Sequence, residues 1–191
     1  MKRFFATFLF VLLMGLALWQ LAQAGLLAAK AWAAPVLIER AWNESLEDGE
    51  RHKPWPWADS SPVARLVVPS KHIERFILQG DNMRNLAFGP VLQKIGSDQL
   101  LYGHRDTHFG FLQDLHLKDR IGFQKFQGKA EKWHVTEMKT LHKDDFYLEQ
   151  DKQESRLILV TCYPFDALWP ETDMRFIVVL EKYTDRKNVK V

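Results

Sequence analysis

Three side chains of different chemistry frame the question this sequence poses. Cys162 is the only cysteine in 191 residues, and it follows the apolar run Leu157–Val160, just ahead of Tyr163-Pro164-Phe165. A thiol at a strand end is a candidate nucleophile once ionised. A lone cysteine is also often no more than a small buried hydrophobe. His104 stands 162 − 104 = 58 residues upstream, inside Gly103-His104-Arg105-Asp106-Thr107-His108-Phe109, and Arg175 stands 175 − 162 = 13 residues downstream, at the start of Met174–Leu180. Acyl transfer from a peptide needs a thiolate, a proton donor for the departing amine, and positive charge or hydrogen-bond donors for the tetrahedral oxyanion. Cys162, His104 and Arg175 offer one residue type for each. Taken singly, the histidine reads as structural and the arginine as an ordinary surface charge.

The neighbours of these residues are more ambiguous. In an extended chain His104, Asp106 and His108 share a face, as a transition-metal site would require. No third strong ligand cluster or cysteine pair accompanies them, so neither metal nor cofactor is expected, and Asp106 is expected to orient Arg105 or the loop. Thr161 precedes the thiol and points to the opposite face of a regular strand, which suits packing or substrate positioning. The loop Tyr163–Met174, with Leu168 and Trp169, is unusually apolar for a solvated segment. It could wall a peptide groove, with Tyr163 and Trp169 as contacts, or cap the end of the domain.

The elements that must position these groups are short, apolar and punctuated by turns from Ala64 onward, which argues for an all-β domain. Strands are expected at Arg65–Pro69, His72–Leu78, Gln99–His104, Arg120–Phe126, Lys132–Met138, Glu154–Cys162 and Met174–Tyr183. The segment Gly80–Pro90 reads as irregular, and Gln127-Gly128 as a hairpin turn with the positive φ on Gly128. The runs Leu157–Val160 and Phe176–Leu180 have little polar content on either face, as in a small closed barrel with covering loops and helices. If these two strands pair antiparallel, Cys162 and Arg175 lie opposite one another at one rim.

The amino terminus places the domain. Phe4–Ala29 is a 26-residue stretch whose first sixteen residues carry only Thr7 as a polar side chain, longer than the ~20 a membrane helix needs. Lys2-Arg3 precede it, so the positive end should remain cytoplasmic and the rest be exported. A cleavable signal sequence with Ala22-Gln23-Ala24 as its site is the rival reading. Residues 30–62 then read as an amphipathic juxtamembrane helix, with a kink at Pro35 and a course along the membrane surface, followed by a linker containing Pro54-Trp55-Pro56-Trp57. Those two tryptophans could meet the membrane interface or cover the barrel. The near balance of 26 basic and 24 acidic residues gives no argument for a nucleic-acid partner. A single cysteine leaves no intramolecular disulfide to report a compartment.

Taken together, Gly103–Phe109, Leu159-Val160-Thr161-Cys162-Tyr163-Pro164-Phe165 and Arg175 before an apolar strand resemble the His, Cys and Arg motifs of the sortases, in that order and at matching spacings. The resemblance covers about Ser60 to Thr184; residues 63–184 would form the catalytic β-barrel of about seven or eight strands, and 185–191 a charged tail outside it. It implies a membrane-anchored cysteine transpeptidase, its barrel outside the cytoplasmic membrane. Such an enzyme cleaves a carboxy-terminal LPXTG-like sorting signal of an exported protein and passes the acyl group to an amine acceptor at the cell envelope. It implies Cys162, His104 and Arg175 as catalytic residues and Leu141–Glu154 as a second groove wall. Before the histidine strand the sequence has Gly89–Gly96 in place of the Pro-Gly-Thr type turn common in the family. With Leu86–Pro90 and the long anchor, this is more similar to sortases of Gram-negative bacteria. A thiol peptidase that only hydrolyses, and an inert anchored binding barrel, are the alternatives.

Overall fold

Alternation builds the wall of this molecule. In β1 (Pro62–Val68) every second residue is buried, starting from Pro62, the period a strand imposes when one face meets a core. Seven more strands follow: β2 (Ile73–Gln79), β3 (Val91–Ile95), β4 (Asp98–Tyr102), β5 (Arg120–Lys125), β6 (Ala130–His142), β7 (Leu157–Tyr163) and β8 (Met174–Lys182). They close into a barrel in the order β1-β2-β3-β4-β7-β8-β6-β5, and β5 returns to β1. All neighbours are antiparallel except β2 with β3 and β4 with β7. This computed structural model describes residues 2–80, 82–145, 155–169 and 172–183. The expected tail 185–191 and most of the expected second wall, residues 146–154, lie outside them.

Leu66, Ile77, Leu101, Phe123, Trp133, Leu159 and Val178 fill the interior. On the outer face of the central strands, Leu100, Ile158, Val160, Ile177 and Val179 form a second buried cluster. This accounts for the two unbroken apolar runs in β7 and β8: both faces of those strands are covered.

Two details depart from the sequence reading. β3 has no counterpart in it, because Val91–Ile95 buries only Val91 fully and carries Gln93 and Lys94 on an exposed stretch; its pairing with β4 defines the strand. In the β5–β6 turn the left-handed residue is Gln127, with φ 58°, and not Gly128. Gln127 is fixed there by its amide, which donates to the Gly49 carbonyl at 2.8 Å. Gly128 serves close approach instead, since a Cβ there would lie 3.2 Å from the Lys125 carbonyl oxygen.

Helix α1 (Lys2–Asp48) runs through Pro35 to Asp48 as one element of 47 residues. Its first part exposes Phe4, Phe8, Leu12, Leu16 and Trp19, and it is long and apolar enough to cross a membrane. Its second part does not stay out along a membrane surface. Ala34, Ile38, Ala41, Trp42 and Ser45 are all at most 2% exposed, a stripe at helical spacing laid on the barrel wall. Trp42 meets Phe76 and Phe126 edgewise or tilted, at centroid distances of 6.2 and 6.4 Å. Gly49, at φ 78°, ends the helix, and its N–H donates to the Ser45 carbonyl. Of the two linker tryptophans, Trp55 covers the barrel against Phe88, whereas Trp57 is 69% exposed.

Candidate active site

β4, β7 and β8 are consecutive in the barrel, and the site residues sit where β4 and β7 end and β8 begins. Tyr102 pairs with Val160 in the parallel ladder, and the Gly103 N–H continues it to the Val160 carbonyl at 3.2 Å. One further step brings residue 104 level with residue 162. Cys162 and Arg175 are direct partners across the antiparallel β7–β8 ladder. His104, just past the end of β4, therefore stands at the same rim as Cys162 and Arg175, and these two continue the face that carries Val160 and Ile177. Cys162 and Arg175 are half-buried and His104 is exposed.

The histidine loop is held by its own sequence. The Phe109 N–H donates to the His104 carbonyl at 2.8 Å, and the buried Phe109 ring lies under Gly103, where any Cβ would fall 2.6 Å from it. Only glycine can precede His104 without expelling that ring. Arg75 on β2 adds a tie from outside, donating to the His108 carbonyl at 3.2 Å. The His104 and His108 rings stack with centroids 6.5 Å apart. Burial, then the adjacent His104 and Arg75, push the His108 pKa down to about 4; this ring is neutral near pH 7.

Asp106 is expected to orient Arg105 or the loop, but Arg105 makes its hydrogen bonds elsewhere. It is 7% exposed, and its guanidinium reaches the β7–β8 loop, donating to the Thr172 hydroxyl at 3.3 Å, to the Ala167 carbonyl at 3.0 Å and to the Trp169 carbonyl. A charge buried this deeply needs such hydrogen-bond acceptors around it. Asp106 is exposed instead. It lines a groove of about 670 Å³ that runs from His104 and His108 to Ala31, Pro35 and Glu39 on α1. Thr172, which the sequence reading missed, serves two arginines: its hydroxyl takes Arg105, and its carbonyl takes Arg175 at 2.6 Å. Arg175 also donates to the Met174 carbonyl at 2.9 Å. Nothing in the sequence marks Thr172 apart from its place in the loop.

The three expected substrate contacts separate. Thr161 is 3% exposed and its hydroxyl donates to the Gly103 carbonyl at 2.7 Å, so it locks β7 to the histidine strand from inside and is turned away from any groove. Tyr163 shares that face and packs on Phe165 and Phe176, which closes the barrel end. Trp169 alone is open, 78% exposed beside Leu168 at 94%.

Fold and rim together define a closed β-barrel carrying a thiol, an imidazole and a guanidinium on adjacent strands. The chain belongs to the sortase family: the Sortase domain model matches residues 66–183, more than half its length. Among solved structures it is similar to sortase A from Corynebacterium diphtheriae (20% identity, TM-score 0.58, covering 76% of this chain and 70% of that one). It is also similar to sortase A from Listeria monocytogenes (26%, 0.54, 64% and 88%). A third is sortase C from Clostridium perfringens solved with the C-terminal cell wall sorting motif (17%, 0.57, 82% and 90%). A search among curated protein sequences finds no significant match.

Proposed function

We propose that this chain is a membrane-anchored transpeptidase acting on an exported protein with a carboxy-terminal sorting signal of the LPXTG kind. The observation that carries this reading is the convergence of Cys162, His104 and Arg175 on one rim of β4, β7 and β8. The Cys162 thiolate attacks the scissile carbonyl carbon, and the carbonyl π electrons move onto oxygen. As the C–N bond breaks, His104 gives a proton to the departing amine, leaving a thioester on Cys162. An acceptor amine then attacks the thioester, His104 takes its proton, and the C–S bond breaks to restore the thiolate.

Arg175, permanently charged, supports the reading as the oxyanion partner. Its bonds to the Thr172 and Met174 carbonyls lay the guanidinium along the rim while leaving other N–H donors. The neutral His108 beside His104 means that one ring of the pair carries the transferred proton. Arg105 acts as a positioning residue for the loop that bears Trp169, and the exposed Leu168–Trp169 tip offers an apolar contact for the peptide. The helix α1 anchors the chain in the cytoplasmic membrane with the barrel on the extracytoplasmic side, Lys2 and Arg3 remaining inside.

The decisive experiment mixes the protein with candidate sorting peptides and seeks the acyl adduct on Cys162 by intact mass. The expected result is a thioester that an added amine discharges to a ligated product. Discharge only to water would reduce the reading to a thiol peptidase. Absence of any adduct, with Cys162 alkylating normally, would sink it.

A further inference from the structure

Across Phe88 from the groove that His104 and His108 line lies a second cleft of about 480 Å³ between α1, the tryptophan linker and the β2–β3 connection. Ala33, Leu37, Trp55, Leu78 and Phe88 give it apolar walls. Lys30 and Arg84 also line it, both exposed. The one carboxylate among the described lining residues, Asp59, receives the Asn82 amide at 3.4 Å. An apolar cleft with two cations at a water-exposed edge fits a ligand with a hydrocarbon part and an anionic head.

Its position says where such a ligand comes from. The cleft begins at Ala29 and Lys30, the point at which the apolar stretch of α1 ends. The 26 residues of Phe4–Ala29 measure about 39 Å at 1.5 Å per residue, against a hydrocarbon core of about 30 Å. A tilt that keeps this surplus length within the hydrocarbon puts Ala29 at its edge, so the cleft that begins there stands at headgroup depth. Because α1 continues as one helix into its docked part, Ala34–Ser45, no flexible linker separates bilayer from barrel. Trp32, 86% exposed, and Trp57, 69% exposed with Lys30 Nζ 6.0 Å above its ring, add the amphipathic aromatics that settle at a membrane interface.

We infer that this cleft holds the acyl chain of one anionic phospholipid from the surrounding leaflet, its phosphate taken by Lys30 and Arg84. The bound lipid fills the gap between the emerging helix and the barrel and fixes the height of the barrel above the membrane. The inference rests on Phe4–Ala29 spanning the bilayer but not on the transpeptidase chemistry.

The test uses the full chain reconstituted in vesicles of three parts phosphatidylcholine to one part phosphatidylglycerol, released into mild detergent and weighed intact. One phosphatidylglycerol per chain is expected, enriched at least tenfold over its share of the bilayer. The double variant Lys30→Glu/Arg84→Glu should lose at least tenfold of that enrichment, and Trp57→Ala several-fold. A charge-matched control outside the cleft lining, Lys94→Glu/Lys132→Glu, should retain it. Equal retention by wild type and the Lys30/Arg84 variant, or retention of phosphatidylcholine in proportion to its abundance, overturns the site while the anchor stands. Release of wild type from membranes by alkaline carbonate removes the anchor, and the lipid site with it.

Discussion

β4 and β7 run side by side, and their two ends are built differently. At the start, Arg156 grips Asp98: its Nη2 lies 2.5 Å from one carboxylate oxygen, its Nε 3.2 Å from both, and its own backbone N–H donates to the same group at 3.0 Å. The two side chains are only 13% and 4% exposed. At the finish, Arg175 makes its hydrogen bonds to main-chain carbonyls, Cys162 is half-buried, and His104 faces water. One end spends its charge on fixing the register of two parallel strands. The other uses neutral carbonyls to hold a cation in place, so that its charge stays available to an incoming group. The first end adds stability to a register that the β4–β7 ladder also holds, so the two ends are separable.

The sharpest way to break this contrast is to change each end separately. Cys162→Ala should abolish peptide cleavage, by about 10⁴-fold or more as for other covalent nucleophiles, with an unaltered melting temperature. Arg156→Met should do the reverse. It takes the guanidinium away from the buried Asp98, a loss of up to about 3–5 kcal/mol in stability, visible as a lower unfolding midpoint, while cleavage per folded molecule at low temperature stays within about twofold. A cleavage defect in Arg156→Met comparable to that of Cys162→Ala would mean that the two ends are not separable.

Arg175→Lys probes the working end more finely. The charge survives but the planar fork does not, and the loss should be about 10²-fold in kcat, in the range for removal of one oxyanion donor. Peptide cleavage under saturating substrate checks it. A change confined to KM would assign Arg175 to ground-state binding of the peptide and not to the oxyanion.

The two ends were also unequally legible in the sequence. Cys162, His104 and Arg175 stand out because each is flanked by an apolar run that reads as a strand, and a strand's period fixes which face its last residue takes. The Cys162–Arg175 pairing follows from antiparallel neighbours and a twelve-residue loop. The Asp98–Arg156 clamp was invisible, because it joins positions 58 apart through the parallel β4–β7 contact, which no local pattern announces. The same holds for Arg105, whose partners lie in a loop more than sixty residues away, and for Thr172. Alternation already places Thr161 on the face opposite the thiol; what it does not show is the bond of its hydroxyl to the Gly103 carbonyl, again across the parallel β4–β7 contact. The docking of α1 was missed because Ala34, Ile38, Ala41 and Ser45 are too small or too mixed to read as a core stripe, and only Trp42 marks it.

The smallest expected effect concerns the charge carried by the rim, through the His104–His108 pair. The His108 pKa falls from an ordinary 6.5 to about 4 in the folded protein. The unfolded chain therefore binds more protons than the folded one between those values, and stability rises with pH across that window. Above pH 6.5 the group costs nothing; as pH drops toward 4 the folded state is progressively penalised. The full depression would correspond to about 3.4 kcal/mol at 1.36 kcal/mol per unit, but the ring is partly exposed, so screening reduces the expectation to about 1–2 kcal/mol. His108→Gln removes the titration and keeps a polar group of similar size. Chemical unfolding of the detergent-solubilised chain at pH 7.5 and pH 4.5 should show wild type losing about 1–2 kcal/mol more than the variant, since the carboxylates common to both cancel in the difference. Equal losses would place a proton on His108 in the folded state at pH 4.5. The finishing end of β4 would then carry an added positive charge on His108, and its contrast with the neutralised Asp98–Arg156 end would be larger than the structure implies.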